Sequence, residues 1–243
     1  MTVEVVRADG VVGMTMRRPE KHNALSAPMV EALLAAVEEE YRREPDLLVI
    51  RGAGPSFSAG FDIGGLDAQS DGDLLRRFIR IEQLLQALHE APFETAALVH
   101  GSAVGAGADI VCACTHRIGT PDSTFRMPGL AFGIVLGTRR LATRVGRDAA
   151  ETIQVGGRAM NATDAHRLGF LTEVIAPADW DTRLAEIAER ARRVPVSARA
   201  VFRDALSGHD RDADLAGLVR SAAVPGLVDR VGHYARGRLS SGQ

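Results

Sequence analysis

The alternation of apolar and polar residues predicts strands and helices in turn through the first half of the chain. Residues 3–7 and 11–16 form two apolar strands around Asp9-Gly10, which is typical of a β-hairpin. Ser26 is a predicted N-cap for a helix over 27–43, where apolar residues keep helical spacing. Further short strands are predicted at 47–51, 95–99, 117–119 and 124–126, and a helix with apolar residues from Leu74 to Leu88 ends before Pro92.

The second half is predicted to be mainly helical. After Pro128 the helical pattern is broken only at 172–175. A chain of 243 residues can bury one sizeable core, and neither a low-complexity linker nor a repeat divides it. We therefore expect an α/β fold with a core over residues 1–190 and a helical C-terminal region over 191–243 that belongs to the same unit.

Two of the predicted strands run directly into glycine-rich turns. The first turn is Phe57-Ser58-Ala59-Gly60-Phe61-Asp62 and the second contains Gly105-Ala106-Gly107 before a short helix. Such turns can point backbone N–H groups at a ligand, because glycine has no Cβ in the way and the following helix adds its positive end. Two turns brought together would form a two-donor oxyanion hole, whereas each taken alone also fits a simple tight turn.

Other glycine-dependent motifs are incomplete. Gly105 and Gly107 are followed by Ile110 where a dinucleotide-binding fingerprint requires its third glycine. A phosphate-binding G-x-x-x-x-G-K-[ST] motif is excluded because Lys21 is the only lysine, and no G-x-S-x-G motif of a serine hydrolase occurs. Lys21 lies in a polar segment, which also argues against pyridoxal or Schiff-base chemistry.

Composition narrows the function classes further. The chain has 29 basic against 31 acidic residues and a formal net charge of −2, which argues against nucleic acid as a partner. No apolar run is long enough to cross a bilayer and the start lacks a signal-peptide core, so we expect a cytoplasmic protein. Cys112 and Cys114 suit a reducing compartment, and with His116 they do not have the spacing of a metal site.

Three segments in order resemble the enoyl-CoA hydratase/isomerase, or crotonase, superfamily. They are RPEKHNAL at 18–25, FSAGFDI at 57–63 and HGSAVGAG at 100–107, with weaker support from 125–128, 137–141, 162–172 and 229–238. The resemblance implies a crotonase-like spiral of ββα units with a helical C-terminal region, assembly as a homotrimer or a dimer of trimers, and an acyl-CoA thioester as substrate. It implies no cofactor other than the coenzyme A that is part of that substrate.

The resemblance also assigns site residues. It places the two oxyanion-hole donors on the backbone of Ala59 and Ala106 and a carboxyl group for acid/base work on Asp109. The residues expected to contact the substrate or its coenzyme A moiety are His22, Ala24, Phe57, Ala59, Gly60, Phe61, Asp62, Ile63, Gly105, Pro128 and Gly129.

The sequence departs from the hydratase pattern at both acidic positions. Hydratases of the family carry two glutamates that hold and activate water, and here the two positions hold Asp109 and Gly129. Aspartate withdraws the carboxylate by about 1.5 Å, and residues 128–138 contain no acid that could replace the second glutamate. The sequence therefore favours isomerisation or another enolate reaction with a single base over hydration. The alternative is an acyl-CoA-binding homologue without catalytic activity.

A few other residues are weaker candidates near the site. Each of them also fits a structural role: Asp67 that of a solvated loop acid, Arg126 that of an ion-pair partner, and Tyr234 that of a core residue. These candidates are Asp67, Arg126, the histidines His22, His89, His100 and His116, and the pair His233 and Tyr234 near the C-terminus.

Overall fold

The strands form one six-stranded sheet and one small sheet. The computed structural model describes residues 2–207 and 210–241. The large sheet has the order β1-β2-β3-β4-β6-β9 and the small one the order β5-β7-β8. The strands are β1 (Val3–Ala8), β2 (Val11–Met16), β3 (Leu47–Gly52), β4 (Glu94–Val99), β5 (Ser102–Val104), β6 (His116–Gly119), β7 (Thr124–Arg126), β8 (Met160–Asn161) and β9 (Glu173–Val174).

Helices follow most of these strands and make up most of the second half. They are α1 (Ala27–Arg43), α2 (Asp71–His89), α3 (Ala106–Ala113), α4 (Thr138–Val145), α5 (Arg147–Gly156), α6 (Ala162–Arg167), α7 (Trp180–Arg192), α8 (Val196–Ser207), α9 (Arg211–Ala222) and α10 (Leu227–Ser241). Short 3-10 turns occur at Pro19–Lys21, Leu66–Ala68, Gly129–Phe132 and Pro177–Asp179.

Local sequence explains where these elements begin and turn. The predicted hairpin is present: β1 and β2 pair antiparallel, and Asp9 and Gly10 between them both take positive φ angles. Helix α1 begins at Ala27 as predicted, although the Ser26 side chain makes no capping hydrogen bond. Helix α2 begins with a capping box between Ser70 and Asp73. The two-residue strand β8 was not predicted, because so short a strand carries no periodicity.

The parallel part of the large sheet is buried on both faces. Leu48 and Ile50 of β3 face the main core, which α1 and α2 cover, whereas Leu47 and Val49 face a smaller cluster that includes Ile187 of α7. This two-sided burial explains why the strand at 47–51 is a continuous apolar run.

The C-terminal helices share the main core. Leu218 of α9 and Leu227 and Val231 of α10 belong to the same buried cluster as α1 and α2. Helix α7 spans the predicted boundary between residues 190 and 191. No helix in the described ranges is long and apolar enough to cross a membrane.

Candidate active site

The two glycine turns predicted from the sequence lie side by side. Ser58 and Ala103 form a parallel bridge, and the backbone N–H of Val104 donates to the carbonyl of Ser58 at 2.9 Å. Gly60 has φ +82°, and a Cβ there would overlap the carbonyl oxygen of Val104 and stand 3.3 Å from the backbone nitrogen of Ala106. Glycine at position 60 is therefore what lets the first turn approach the start of α3.

The free backbone donors of these turns are on Phe61 and Ala106. Within the described part of the chain neither N–H has a hydrogen-bond acceptor. Ala106 is the first residue of α3, so its N–H has no acceptor inside the helix. Both residues line the same cavity. Their N–H groups are available to an oxygen atom of a ligand.

The structure corrects the predicted role of Ala59. Its N–H donates to the carbonyl of His22 at 2.8 Å, so it is already used within the chain. The donor of the first turn is therefore Phe61, two residues later. Sequence alone could not separate the two, because which N–H is engaged depends on a carbonyl 37 positions away in the chain.

A cavity of about 840 Å³ opens in front of these donors. Residues from the segment before α1 and from the first glycine turn form one part of its wall, and the rest is mainly apolar. Of the predicted contact residues, those that line it are His22, Ala24, Ala59, Phe61, Asp62, Ile63, Gly105, Ala106, Asp109, Pro128 and Gly129.

Two predicted contact residues do not line the cavity. Phe57 is fully buried in the main core, and its N–H donates to the carbonyl of His100 at 3.1 Å. The N–H of Gly60 donates to the hydroxyl of Ser58 at 3.1 Å. The side chain of Phe57 instead anchors the first turn in the core, and the N–H of Gly60 is used inside the turn.

Asp109 is a buried carboxyl group at the cavity wall. It lies in the first turn of α3, three residues after Ala106, and is 4% exposed. Its Oδ1 atom has no hydrogen-bond partner among the described residues. Burial raises the pKa of Asp109 well above its usual value, and the nearby Arg140 guanidinium opposes this only in part. A buried carboxyl group with a raised pKa in a cavity wall is a candidate for proton transfer.

The part of the wall that follows Pro128 has no acid, as the sequence predicts. Gly129 begins a 3-10 turn, and after it Phe132, Ile134 and Leu136 line the cavity. A Cβ at Gly129 would stand 3.0 Å from the carbonyl oxygen of Ile134, which leaves little room for a larger residue. The carboxyl groups among the lining residues are those of Glu20, Asp62 and Asp109.

Asp62 is held in an ion pair and so differs from Asp109. Its Oδ2 accepts from Arg18 at 2.7 Å and its Oδ1 accepts from the N–H of Gly64 at 2.9 Å. Burial acts to raise the pKa of Asp62, but the hydrogen bonds from Arg18 and Gly64 outweigh it and lower the pKa. Glu20 is exposed. Asp109 is thus the buried carboxyl group of the cavity wall, and it makes no ion pair within the described ranges.

Most of the weaker candidates lie elsewhere or have structural partners. Asp67 is exposed and Arg126 donates from Nε to the carbonyl of Gly157 at 2.8 Å, and neither lines the cavity. His22 does line the cavity, with its Nδ1 3.1 Å from the hydroxyl of Ser56. The histidines that do not line it are His89, His100, His116 and His233.

The cysteines are buried thiols. Burial raises the pKa of Cys112 to about 11 and that of Cys114 to about 12. No group of three or more metal-ligating side chains occurs in residues 2–207 and 210–241.

The sequence did not identify several residues of the cavity wall, and for Tyr234 it left a role near the site and core packing as alternatives. Tyr234 lines the cavity. The missed side chains come from α2, the segment after Gly129, α5 and α10, which no local motif connects: Phe78, Phe132, Ile134, Leu136, Gln154 and Val231.

Comparison with known proteins places this site in a family. The family model for enoyl-CoA hydratase/isomerase matches residues 7–223. A solved enoyl-CoA hydratase/isomerase structure from Bordetella parapertussis is 45% identical, with a TM-score of 0.95 over 97% of this chain and 98% of that chain.

Two curated relatives are more distant. The "Probable enoyl-CoA hydratase echA6" of Mycobacterium tuberculosis is 29% identical over 205 residues, 83% of this chain and 82% of its own length. Ethylmalonyl-CoA decarboxylase from Pongo abelii is 30% identical over 221 residues, 86% of this chain and 73% of its own length. The chain has the crotonase fold and belongs to the enoyl-CoA hydratase/isomerase family, whose members act on acyl-CoA thioesters.

Proposed function

We propose that this protein is an acyl-CoA enzyme that forms a thioester enolate and returns a proton to it, with Asp109 as the single proton-transfer group. The observation that carries the proposal is the placement of one buried, unpaired carboxyl group beside two free backbone N–H groups in one cavity. Isomerisation of a 3-enoyl thioester to the 2-enoyl form needs no more than these groups.

The proposed reaction proceeds in two proton transfers. The ionised form of Asp109 takes the α-proton, and the electron pair moves to the thioester oxygen, where the N–H groups of Phe61 and Ala106 donate to the developing negative charge. Asp109 then returns the proton to the γ-carbon and the double bond moves into conjugation. Hydration is disfavoured because a second carboxyl group to activate water is missing from the wall at Gly129.

Exchange of the α-proton tests this directly. In heavy water, NMR should show deuterium entering the α-position of a saturated acyl-CoA, and 3-hexenoyl-CoA should be isomerised while crotonyl-CoA is hydrated far more slowly. Since the base must be ionised, the exchange rate should rise with pH through the raised pKa of Asp109. Tight acyl-CoA binding without any exchange would reject this proposal in favour of a non-catalytic binding protein.

Decarboxylation is a second candidate, because the same raised pKa favours the protonated form of Asp109. A 2-carboxyacyl thioester that loses carbon dioxide leaves an enolate, which needs a proton donor and no base. One relative is named ethylmalonyl-CoA decarboxylase. The two candidates differ in sign: decarboxylation of ethylmalonyl-CoA should slow as pH rises through the pKa of Asp109, whereas isomerisation should accelerate.

We also propose assembly as a homotrimer or a dimer of trimers. Val201 and Phe202 on α8 are 71% and 63% exposed, which supports an association surface there. Sedimentation equilibrium would give the mass, and a monomer at micromolar concentration would contradict the proposal.

A further inference from the structure

Gln154 is a polar side chain at an inward-facing position of α5. That helix buries Ala150, Ile153 and Gln154, and Gln154 is 9% exposed and lines the cavity. Its side-chain amide takes part in none of the hydrogen bonds between residues of the described ranges and is not among their buried unpaired groups, so it is open to the cavity and available to a ligand. An apolar residue would fill this position without leaving polar atoms unpaired, and the amide is therefore explained best by a polar atom of a ligand.

Tyr234 adds a second unused polar group to the same wall. It lies on α10 and lines the cavity, and its ring packs on Phe132 with 5.0 Å between the ring centroids. The hydroxyl is buried and has no partner in the part of the chain described. A buried donor without a partner is costly and rare in native proteins. The buried hydroxyl of Tyr234 and the amide of Gln154 line one cavity and therefore point to a shared ligand group.

Hydrogen bonds hold α10 and the turn at Gly129–Phe132 in place. Asp71 accepts from the N–H groups of Gly226 and Val228 at 2.8 and 2.9 Å and so fixes the start of α10. Arg230 of α10 donates to the carbonyl of Phe132 at 2.9 Å. Tyr234 on α10 and the turn on which its ring packs are thus held in place, which is what recognition of a specific atom requires.

The charges around the cavity indicate what kind of polar atom would fit. The cationic side chains among its lining residues, Arg18 and Lys21, come from the segment before α1, and Arg18 is paired with Asp62. No lysine or arginine of α5, of the turn at Gly129–Phe132 or of α10 is among the lining residues. A carboxylate placed against Gln154 would be buried without a cation, which is strongly unfavourable.

We propose that Gln154, together with Tyr234, selects acyl-CoA thioesters whose acyl chain carries an uncharged oxygen, a hydroxyl or an oxo group, beyond the reacting carbons. The inference rests on the proposed function, because it takes the cavity to hold the acyl chain. The apolar neighbours Phe78, Ile134 and Leu136 would contact the carbon atoms of that chain. The amide suits either oxygen, since it both donates and accepts.

Calorimetric binding of matched probes tests the proposal. The probes are hexanoyl-CoA, its 4-, 5- and 6-hydroxy derivatives, 5-oxohexanoyl-CoA and adipoyl-CoA. At least one hydroxy or oxo probe should bind about tenfold more tightly than hexanoyl-CoA, and adipoyl-CoA should bind more weakly than hexanoyl-CoA. Gln154→Met should reduce the ratio of the affinities for the oxygenated probe and for hexanoyl-CoA, both measured on the variant, to less than about twofold, and Tyr234→Phe should reduce this ratio in part.

Two matched controls keep the result interpretable. Tyr41→Phe removes a hydroxyl that donates to the carbonyl of Ala87, and Gln83→Met removes an amide from α2, and both lie outside the cavity. Both should keep the preference. Equal or tighter binding of hexanoyl-CoA, a preference for adipoyl-CoA, or a preference that survives Gln154→Met would each overturn the proposal.

The failure of this inference is distinct from failure of the proposed function. Deuterium exchange into hexanoyl-CoA reports enolate formation whether or not the chain carries an oxygen. Exchange without a binding preference rejects only the role of Gln154 and Tyr234, whereas a binding preference without exchange rejects only the catalytic proposal.

Discussion

Two of the buried carboxyl groups, those of Glu82 and Asp109, lie in neighbouring regions and have opposite surroundings. Glu82 on α2 is 1% exposed and accepts from Arg140 at 3.0 and 2.5 Å and from Gln86 at 3.1 Å. Asp109 is 4% exposed, and its Oδ1 has no partner in the described ranges. Glu82 is held in a bidentate ion pair by Arg140, whereas Asp109 makes no such contact in the described ranges and burial raises its pKa.

The region around Glu82 stabilises the fold, whereas the region around Asp109 is placed to take part in a reaction. Arg140 also reaches Asp214 of α9 at 3.5 Å, so the paired region links α2, α4 and α9. The Asp109 region instead opens on the cavity. Substitutions in the first region should therefore affect stability, and substitutions in the second should affect the reaction.

The largest expected effect is that of Asp109→Asn on enolate chemistry. Asparagine keeps the shape of the side chain but cannot accept the proton, so α-proton exchange should fall about 10²–10⁴-fold. Binding of a saturated acyl-CoA should remain within a few-fold. The measurement is deuterium exchange by NMR together with calorimetry, and Asp67→Asn, at an exposed position outside the cavity, serves as the control. Undiminished exchange would show that another group moves the proton.

The next effect in size is that of Glu82→Gln on stability. It leaves Arg140, which is 2% exposed, without its bidentate partner and should lower the free energy of unfolding by about 3–5 kcal/mol. Exchange at neutral pH should not fall, because removing the Glu82 charge lowers the pKa of Asp109 and favours the base form. Urea unfolding measures the first quantity. The double variant Glu82→Gln, Arg140→Gln should recover part of the loss, and equal stability of the single variant would contradict the comparison.

Ala106→Pro tests the backbone donor with a slightly smaller expected effect. Proline is tolerated at the first position of a helix, so it removes the N–H without breaking a hydrogen bond of α3. Loss of one such donor should slow exchange about 10²–10³-fold. Ala106→Gly keeps the N–H and should retain most of the activity. A proline variant that folds and exchanges at the wild-type rate would remove Ala106 from the oxyanion hole.

The smallest effect is a pH-dependent difference in stability between Asp109→Asn and Asp62→Asn. The pKa of Asp109 is raised in the folded state, so its contribution to stability is present below its unfolded pKa and is lost as pH rises through the folded pKa. The pKa of Asp62 is lowered, so its contribution is present above its unfolded pKa and is lost as pH falls through the folded pKa.

Melting temperatures across pH 3–9 test these two opposite pH dependences of stability. Asp109→Asn should gain stability relative to wild type at high pH, and Asp62→Asn should lose stability there and approach wild type at low pH. The same pH trend in both variants would contradict the contrast between an unpaired and a paired carboxyl group.

Much of the fold and part of the site could be predicted from the sequence alone. The hairpin, the start of α1 and the parallel strands follow from short-range periodicity, capping and turn residues, which depend on neighbours along the chain. The sequence also gives the glycine turns, the family resemblance, and the absence of an acid in residues 128–138.

Tertiary structure decided which groups are free. Local sequence does not tell which N–H of the first turn is free, that of Ala59 or that of Phe61. In the structure the N–H of Ala59 donates to the carbonyl of His22, and the N–H of Phe61 has no acceptor in the described ranges. Asp109 and Glu82 are both acids on helices near Arg140, but within the described ranges only Glu82 accepts hydrogen bonds from that arginine. Likewise Gln154 and Tyr234 meet one cavity only after α5 and α10 have packed. Hydrogen-bond partners and desolvation depend on atoms that are distant in the chain, and these set the chemistry of the site.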